Sequence, residues 1–192
     1  SLNTIQQFIM DNQKEIASEY LADFSDLMRK YLDQSKQEEI SLSEEIETLE
    51  VYLSLENLRL NGELKYRISA DPKIDVHGVM IPTMLFQPFV ENSIKHGLLH
   101  KEGEKKLDIS FEKGESGLIC TIEDNGIGRE ASQKINQSKK IKRNAFATTA
   151  LDERIALVNK NSRQNINIET IDLMENDESK GTRVVVKINL IS

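Results

Sequence analysis

Glu123-Asp124-Asn125-Gly126-Ile127-Gly128 closes an apolar run, Leu118 to Ile122, that reads as a strand. Taken alone, an Asp followed by two spaced glycines is a tight turn, because Asp initiates turns and glycine accepts backbone angles other residues resist. Upstream lies a second polar cluster, Glu91-Asn92-Ser93-Ile94-Lys95-His96-Gly97, set in an otherwise apolar helical run. Asn92 and Lys95, three residues apart, share one helix face. A glycine turn that brings a carboxylate opposite them makes the outline of a nucleotide pocket.

Composition bounds the rest. The 192 residues suit one domain or one and a half, with 30% charged and 38% hydrophobic residues as in an ordinary globular protein. A net charge of −7 argues against a nucleic-acid surface, which needs a clustered basic excess. The one basic run is Lys139-Lys140 with Lys142-Arg143, which reads as a solvated face or, beside a pocket, as an attractor for an anion. Cys120 is the single cysteine, so neither an intrachain disulfide nor a thiolate metal cage is available, and a reducing, cytoplasmic setting is expected. No apolar run is long enough to span a bilayer and no signal peptide is evident. The chain starts without Met in a helical pattern, which reads as a piece of something longer.

The first 60 residues contain no Gly and no Pro. Apolar positions from Ile5 through Phe8, Ile16, Tyr20, Phe24, Leu27 and Tyr31 to Leu32 follow helical spacing, and Asp33 to Ile40 interrupts it. A second helix is expected from Ser41 or Ser43, with Glu44, Glu45 and Glu47 at its positive end, running to Asn61-Gly62. Two such helices form a hairpin, and pairing with a second hairpin gives a four-helix bundle, so a homodimer is expected; the alternative is packing on the rest of the chain. From Gly62 onward the pattern is mixed. Strands are read at Leu64–Ser69, Leu107–Phe111, Leu118–Ile122, Ile166–Ile171 and Val184–Leu190, with helices from Pro82 to about Lys95 and over Ala150–Asn159. Residues 128–149 read as a polar connection, long for a compact domain. This order implies an α+β chain: an N-terminal antiparallel helical hairpin, then an α/β sandwich with a mixed β-sheet covered by helices on one face.

Each candidate residue has a plain reading beside the functional one. Asn92, in a segment expected to face a core, is a structural amide or a neutral oxygen ligand for Mg²⁺ beside phosphate. Lys95 is a solvated lysine or a point charge for a phosphate. His96 is a helix-end histidine, and His77 and His100 sit in loop-like settings and are assigned nothing. Asp124 starts a turn or accepts a hydrogen bond from an adenine amino group. Gly126 and Gly128 permit positive φ and close approach of a ligand. Separately these signals are weak, and their combination in this order is what carries weight.

The combination resembles the LytS-type sensor histidine kinases, whose ATP-binding domain has the Bergerat fold shared with gyrase, heat-shock protein 90 and mismatch-repair ATPases. Leu85-x-Gln87-Pro88-Phe89-Val90-Glu91-Asn92-Ser93-Ile94-Lys95-His96-Gly97 is similar to that family's N box, Glu123 to Gly128 to its first glycine box, and Gly181-Thr182 to its closing Gly-Thr motif. Ser43-Glu44-Glu45 through Tyr52-Leu53-x-Leu55-Glu56-x-x-Arg59 resembles the second dimerisation helix, and Ser1-Leu2-Asn3-x-Ile5 the residues after the family's phosphoacceptor segment.

The resemblance implies a dimerisation and phosphotransfer hairpin over residues 1–61, lacking its phosphoacceptor histidine, and an ATP-binding catalytic domain over 62–192. It implies that Asn92 holds Mg²⁺ between ATP phosphates, that Lys95 contacts a phosphate with His96 nearby, and that Asp124 binds the adenine amino group with help from Thr182. Gly126, Ile127 and Gly128 would form the turn under the base, and Arg154 would belong to the nucleotide-binding set beyond the lid. Glu91 is typical of the family and counts with Asn92 and Lys95 among the catalytic candidates. Hydrolytic relatives place a glutamate where this chain has Pro88, which suits a kinase rather than a hydrolase. The second glycine box is replaced by Ala145-Phe146-Ala147-Thr148, which implies a variant lid with weakened nucleotide affinity. The implied activity is transfer of the γ-phosphoryl group of Mg-ATP to a histidine and onward to a response-regulator aspartate, in the cytoplasmic part of a membrane-anchored sensor. An ATP-hydrolysing relative and a pseudokinase or dimerisation scaffold remain as alternatives.

Overall fold

The computed structural model describes residues 2–115, 117–138, 156, 159, 164–176 and 178–190. They divide into two compact units, one of Ser1–Lys65 with Asp75–Leu85 and one of Tyr66–Ile74 with Phe86–Ser192. Among the described residues no helix is long and apolar enough to cross a membrane.

The helical unit contains α1 (Leu2–Met10), α2 (Lys14–Gln34) and α3 (Leu42–Arg59). The single stripe read from Ile5 to Leu32 is broken at Asn12, whose φ of 58° ends α1 without glycine or proline. Asn tolerates this left-handed conformation better than most residues, and the turn lets Phe8 fold back on Tyr20, edge to face at 5.8 Å. Leu27, Leu49, Leu53 and Leu55 are buried in this unit, and Gln34 donates to the Thr48 hydroxyl at 2.8 Å between α2 and α3.

The start of α3 is fully furnished with acceptors. Ser41 is its N-cap, and a capping box joins its hydroxyl to the Glu44 N–H and the Glu44 carboxylate to the Ser41 N–H. Strands β1 (Glu39–Ser41) and β2 of this unit's ribbon (Met80–Pro82) pair antiparallel, with Ile40 opposite Ile81 and both fully buried. The loop before that second strand supplies the Val79 and Val76 carbonyls to the N–H groups of Leu42 and Ser43, at 2.9 and 2.8 Å. The first three helical donors, otherwise orphaned, are therefore all used. Pro82 ends a strand instead of starting a helix. A helix running on from Pro82 would place Pro88 in its interior, where it removes a hydrogen bond and clashes with the preceding turn. The helix starts instead where Pro88 sits in its first turn, α4 (Gln87–Asn92).

The second unit is built on a five-stranded sheet. For clarity its strands are β3 (Leu64–Ala70), β4 (Lys105–Lys113), β5 (Gly117–Asp124), β6 (Gln164–Glu175) and β7 (Glu178–Leu190), in the spatial order β3-β4-β5-β7-β6. The β4–β5, β5–β7 and β6–β7 pairs are antiparallel. Edge strand β3 runs in the same sense as β4: the Ser69 hydroxyl donates to Ile109 O and the Asp71 N–H to Phe111 O. The sheet is thus mixed, as expected. Burial alternates along β4 and β5, so Leu107, Ile109, Phe111, Leu118, Cys120 and Ile122 form one apolar face with Val184, Val186 and Ile188 of β7. Phe86, Val90, Ile94 and Leu98, on α4 and the turns flanking it, are fully buried, and Phe86 meets Phe111 edge to face at 5.3 Å.

Two further readings change. The strands read at Ile166–Ile171 and Val184–Leu190 are longer and turn tightly, Glu175 opposite Glu178, so the acidic stretch is the tip of a hairpin. The polar segment after Gly128 begins as a helix, α5 (Gly128–Ser138), stabilised by a Glu130–Lys134 pair one turn apart at 2.7 Å. Replacing the N-cap hydroxyl, Ser41→Ala, should destabilise the helical unit by about 1 kcal/mol. Urea titration followed by circular dichroism measures this, and an unchanged midpoint would refute the capping assignment.

Candidate functional site

Strand β5 carries its alternation one residue past the aliphatic run. Leu118, Cys120 and Ile122 are buried, and the next position in that register is Asp124, 3% exposed. A carboxylate is therefore held on the core-facing side at the strand's end. Its Oδ1 accepts the Gly126 N–H at 2.8 Å, and the Ser93 hydroxyl and the backbone of Thr182, its cross-strand neighbour, lie close enough to favour its charged form. Burial nonetheless dominates and raises the Asp124 pKa above the ordinary carboxylate value, with the Glu123 charge adding to the effect; the Gly126 N–H, with Ser93 and Thr182 nearby, pulls it back.

Two glycines let backbone crowd this carboxylate, and a third lies against the Asp124 main chain. A Cβ on Gly97 would sit 2.9 Å from Asp124 Oδ1, and one on Gly126 would sit 2.5 Å from the Gly97 Cα. The end of the N-terminal polar cluster and the glycine turn are thus in backbone contact, sealed by Ile127 N–H donating to Gly97 O at 3.3 Å. Gly181 has a φ of 138°, and a side chain there would collide with the Asp124 carbonyl. Gly126 is not among the positive-φ glycines, whereas Gly128, which opens α5, is, at 76°. Asn125 faces away and ties the loop to β4: its Oδ1 accepts the Lys106 N–H at 2.8 Å and its Nδ2 donates to Glu104 O at 3.0 Å.

The polar cluster is carried by α4 and a π-helical segment, Ser93–Leu98. Such wide turns recur at functional positions. Ser93, Ile94, Gly97 and Leu98 are buried, while Asn92 and Lys95 are exposed and Glu91 and His96 are half-buried. Asn92 does not face the core; the helix turns it outward beside Lys95. Lys95 pairs with Glu91 one turn away, and Glu91 also accepts from Gln87 at 2.8 Å. The His96 pKa is lowered, mainly by burial and further by Lys95 and His100. His77 lies in an exposed turn of the helical unit.

At the root of α5, Arg129 makes a two-pronged ion pair with Asp172 of β6, at 2.8 and 2.7 Å, and on β5 Glu123 pairs with Arg183 of β7 at 2.6 Å. Arg154, the Ala145–Thr148 segment and the Lys139–Arg143 run lie outside the described residues, as does most of the helix read over Ala150–Asn159. The structure thus brings together Asp124, Gly126, Ile127, Gly128 and Thr182 with the segment that bears Asn92, Lys95 and His96. Ser93 was not assigned a role from the sequence. The signal available was its spacing four residues before Gly97, which places both on one face of the turn.

Residues 1–64 match the family model described as Histidine kinase. Over 129 residues the chain is 32% identical to the sensor protein LytS of Staphylococcus saprophyticus, covering 67% of this chain and 21% of that protein. It is 33% identical over 129 residues to the sensor histidine kinase/phosphatase LytS of Staphylococcus aureus strain MRSA252, covering 67% of this chain and 22% of that protein. The chain therefore spans about a fifth of the length of these relatives. Among solved structures, the Acinetobacter baumannii histidine kinase AdeS superposes with a TM-score of 0.51 at 15% identity, covering 100% of this chain and 94% of that one, a likeness of fold.

The raised Asp124 pKa has a consequence for stability. A carboxyl group whose pKa rises on folding contributes stability fully present below its unfolded pKa, and that stability is lost as pH climbs through the folded value. Asp124→Asn keeps an oxygen for Gly126 and removes the buried charge. Without ligand, this variant should melt above the parent at neutral pH, with the gap closing towards about pH 4. Thermal melts across that range decide it, and a variant less stable at pH 7 would count against it.

Proposed function

Because this chain belongs to the LytS-type sensor histidine kinase family, we propose that the second unit binds Mg-ATP at the Asp124 cradle. The further proposal is that the intact protein uses it to phosphorylate a histidine on the helical hairpin and then an aspartate of a response regulator. The observation that carries this reading is the buried carboxylate flanked by Gly97 and Gly126, where any side chain would fill space beside it. A charge kept in such a place is costly unless it serves recognition. The donor set suits the nucleotide. An acceptor-only carboxylate matches an exocyclic amino group, with Thr182 alongside. Gly126, Ile127 and Gly128 would run beneath the base.

Among the described residues no three His, Cys, Asp or Glu side chains gather as a metal cage. Mg²⁺ would take most of its ligands from phosphate and water, with the exposed Asn92 amide oxygen adding a neutral one. Bound Mg-ATP supplies the phosphoryl group and offsets its charge; the protein's contribution is placement and electrostatics. Lys95, now on Glu91, is the cation within reach of a phosphate, and Glu91 holds it near Asn92 until one arrives. His96, kept neutral by burial, is placed to donate or accept without adding charge. Arg154 is assigned to the same set.

Calorimetric titration with Mg-ATP tests the pocket. Asp124→Asn should weaken binding at least about tenfold, the loss of a charge-assisted hydrogen bond in a buried site. Lys95→Ala should weaken ATP several-fold while leaving adenosine unchanged. Unaltered ATP affinity in Asp124→Asn would refute the assignment.

The hairpin is proposed to pair with a second copy. Leu21, Met28 and Leu32, at 50%, 36% and 66% exposure, line one face of α2 at coiled-coil spacing. Changing Leu21 and Met28 to lysine should convert a dimer to a monomer in sedimentation equilibrium. A dimer that survives both changes places the interface elsewhere.

A further inference from the structure

The β6–β7 hairpin outruns the strand that carries Asp124. β5 stops at Asp124, opposite Thr182, while residues 178–181 of β7 continue against residues 173–175 of β6. Two features bind this overhang to the start of α5. Gly128 has a φ of 76°, and a Cβ there would come 1.8 Å from Ser179 Oγ, so the glycine lets the hairpin tip lie directly on the turn. The next residue, Arg129, donates from Nε and a terminal guanidinium nitrogen to the two Asp172 carboxylate oxygens, at 2.8 and 2.7 Å. This two-pronged geometry fixes the direction of approach as well as the distance.

Register places that pair on the same side of the sheet as the carboxylate cradle. Thr182 is opposite Asp124 on β5 and opposite Asp172 on β6, and residues facing each other across antiparallel strands project to the same face. Asp172 therefore shares the face of Asp124, two strand spacings or about 10 Å away. Glu123 and Arg183, one residue along, project to the opposite face and pair with each other there. Glu130 is engaged by Lys134 within α5. The glycine turn, residues 125–128, is thus held at both ends: by the pairing of Asp124 with Thr182, and by Arg129 on Asp172.

We propose that Arg129 and Asp172 are positioning residues for the nucleotide: their pair fastens the root of α5 to β6, holds the Gly126–Gly128 turn in its receiving form, and so sets how long a nucleotide stays. This rests on the reading of the Asp124 cradle as a nucleotide site. With the pair open, α5 is free to pivot at Gly128, whose backbone accepts many conformations, and the turn beneath the base loses its second anchor. The two side chains are 51% and 39% exposed. A pair at that depth is individually weak and opens readily, whereas a buried pair would hold the turn shut against exchange.

The test is stopped-flow release of fluorescent methylanthraniloyl-ATP with Mg²⁺, chased by excess Mg-ATP. It compares the parent, Arg129→Ala, Asp172→Ala and the exchanged pair, Arg129→Asp with Asp172→Arg. Each single variant should release the nucleotide about three to five times faster, the strength of one exposed two-pronged pair. The exchanged pair restores opposite charges and should return to within about twofold of the parent. High salt should narrow the gap between the parent and the single variants, because an exposed pair is screened. Both side chains are half-exposed, so the variants should fold, and circular dichroism checks each. A pair that merely stabilised the fold would lower the melting temperature and leave release unchanged, which overturns the proposal. A pair acting on the nucleotide through charge alone would give opposite signs, with Arg129→Ala faster and Asp172→Ala slower, and overturns it too. Asp124→Asn separates the two levels. If the parent binds ATP, Asp124→Asn binds it far more weakly and both pair variants release at the parental rate, the nucleotide site stands and the fastening falls. If the parent itself fails to bind ATP at millimolar concentration, both fall.

Discussion

A carboxylate in a strand's core-facing register obliges everything around it. The apolar face of β5 runs Leu118, Cys120, Ile122 and then Asp124, so the charged group inherits a position built for an aliphatic side chain. An unpaired buried charge would simply take up a proton, and the upward pull on the Asp124 pKa shows that tendency. A donor must therefore reach it, and the Gly126 N–H does so at 2.8 Å because close backbone approach leaves room for little else. That requirement explains why the glycines cluster here. Gly97 and Gly126 bring two chain segments into backbone contact, and Gly181 lets β7 pass over the Asp124 carbonyl.

The same constraint orders the neighbouring elements. Asn125 cannot also point inward, so it turns out and pins the loop to Lys106 and Glu104. The helical segment that carries Gly97 must put small or aliphatic residues on the sheet and polar ones outward, which yields the sequence of buried Ser93 and Ile94 between exposed Asn92 and Lys95. The widened π-helical segment reconciles these demands, since it lets Ser93 and Gly97 both face the carboxylate while Ile94 and Leu98 stay on the apolar sheet face.

Much of this was legible in the residues. Alternation located the paired strands, and the two polar clusters marked where they end. The start of α3 was read only as Ser41 or Ser43; the Ser41–Glu44 box decides it, and the carbonyls that complete it come from residues 76 and 79, which no local pattern foretells. The break at Asn12 was hidden because nothing about Asn demands it; the Phe8–Tyr20 contact rewards it, and that contact is tertiary. Pro82 and Pro88 both suit a helix start, and the choice between them depends on strand pairing between Ile40 and Ile81. Helix α5 was missed because its polar sequence carries little apolar stripe. The outward aspect of Asn92 was missed for a related reason: apolar neighbours predict a buried helix without saying which face is buried.

On the proposed reading, the site divides its labour by depth. Selection of the base falls to a buried carboxylate whose donors are largely backbone, fixed before any ligand arrives and so costing little reorganisation on binding. Handling of the phosphates falls to Asn92, Lys95 and Glu91, which are exposed or half-buried, with Lys95 and Glu91 already paired to each other. A lysine paired with a glutamate in water loses little by exchanging that partner for a phosphate, because exposed ion pairs are individually weak. A lysine buried with the same partner would be held too firmly to exchange. The depth at which each group lies therefore separates the part of the site that must not move from the part that must change partners as phosphate enters and leaves.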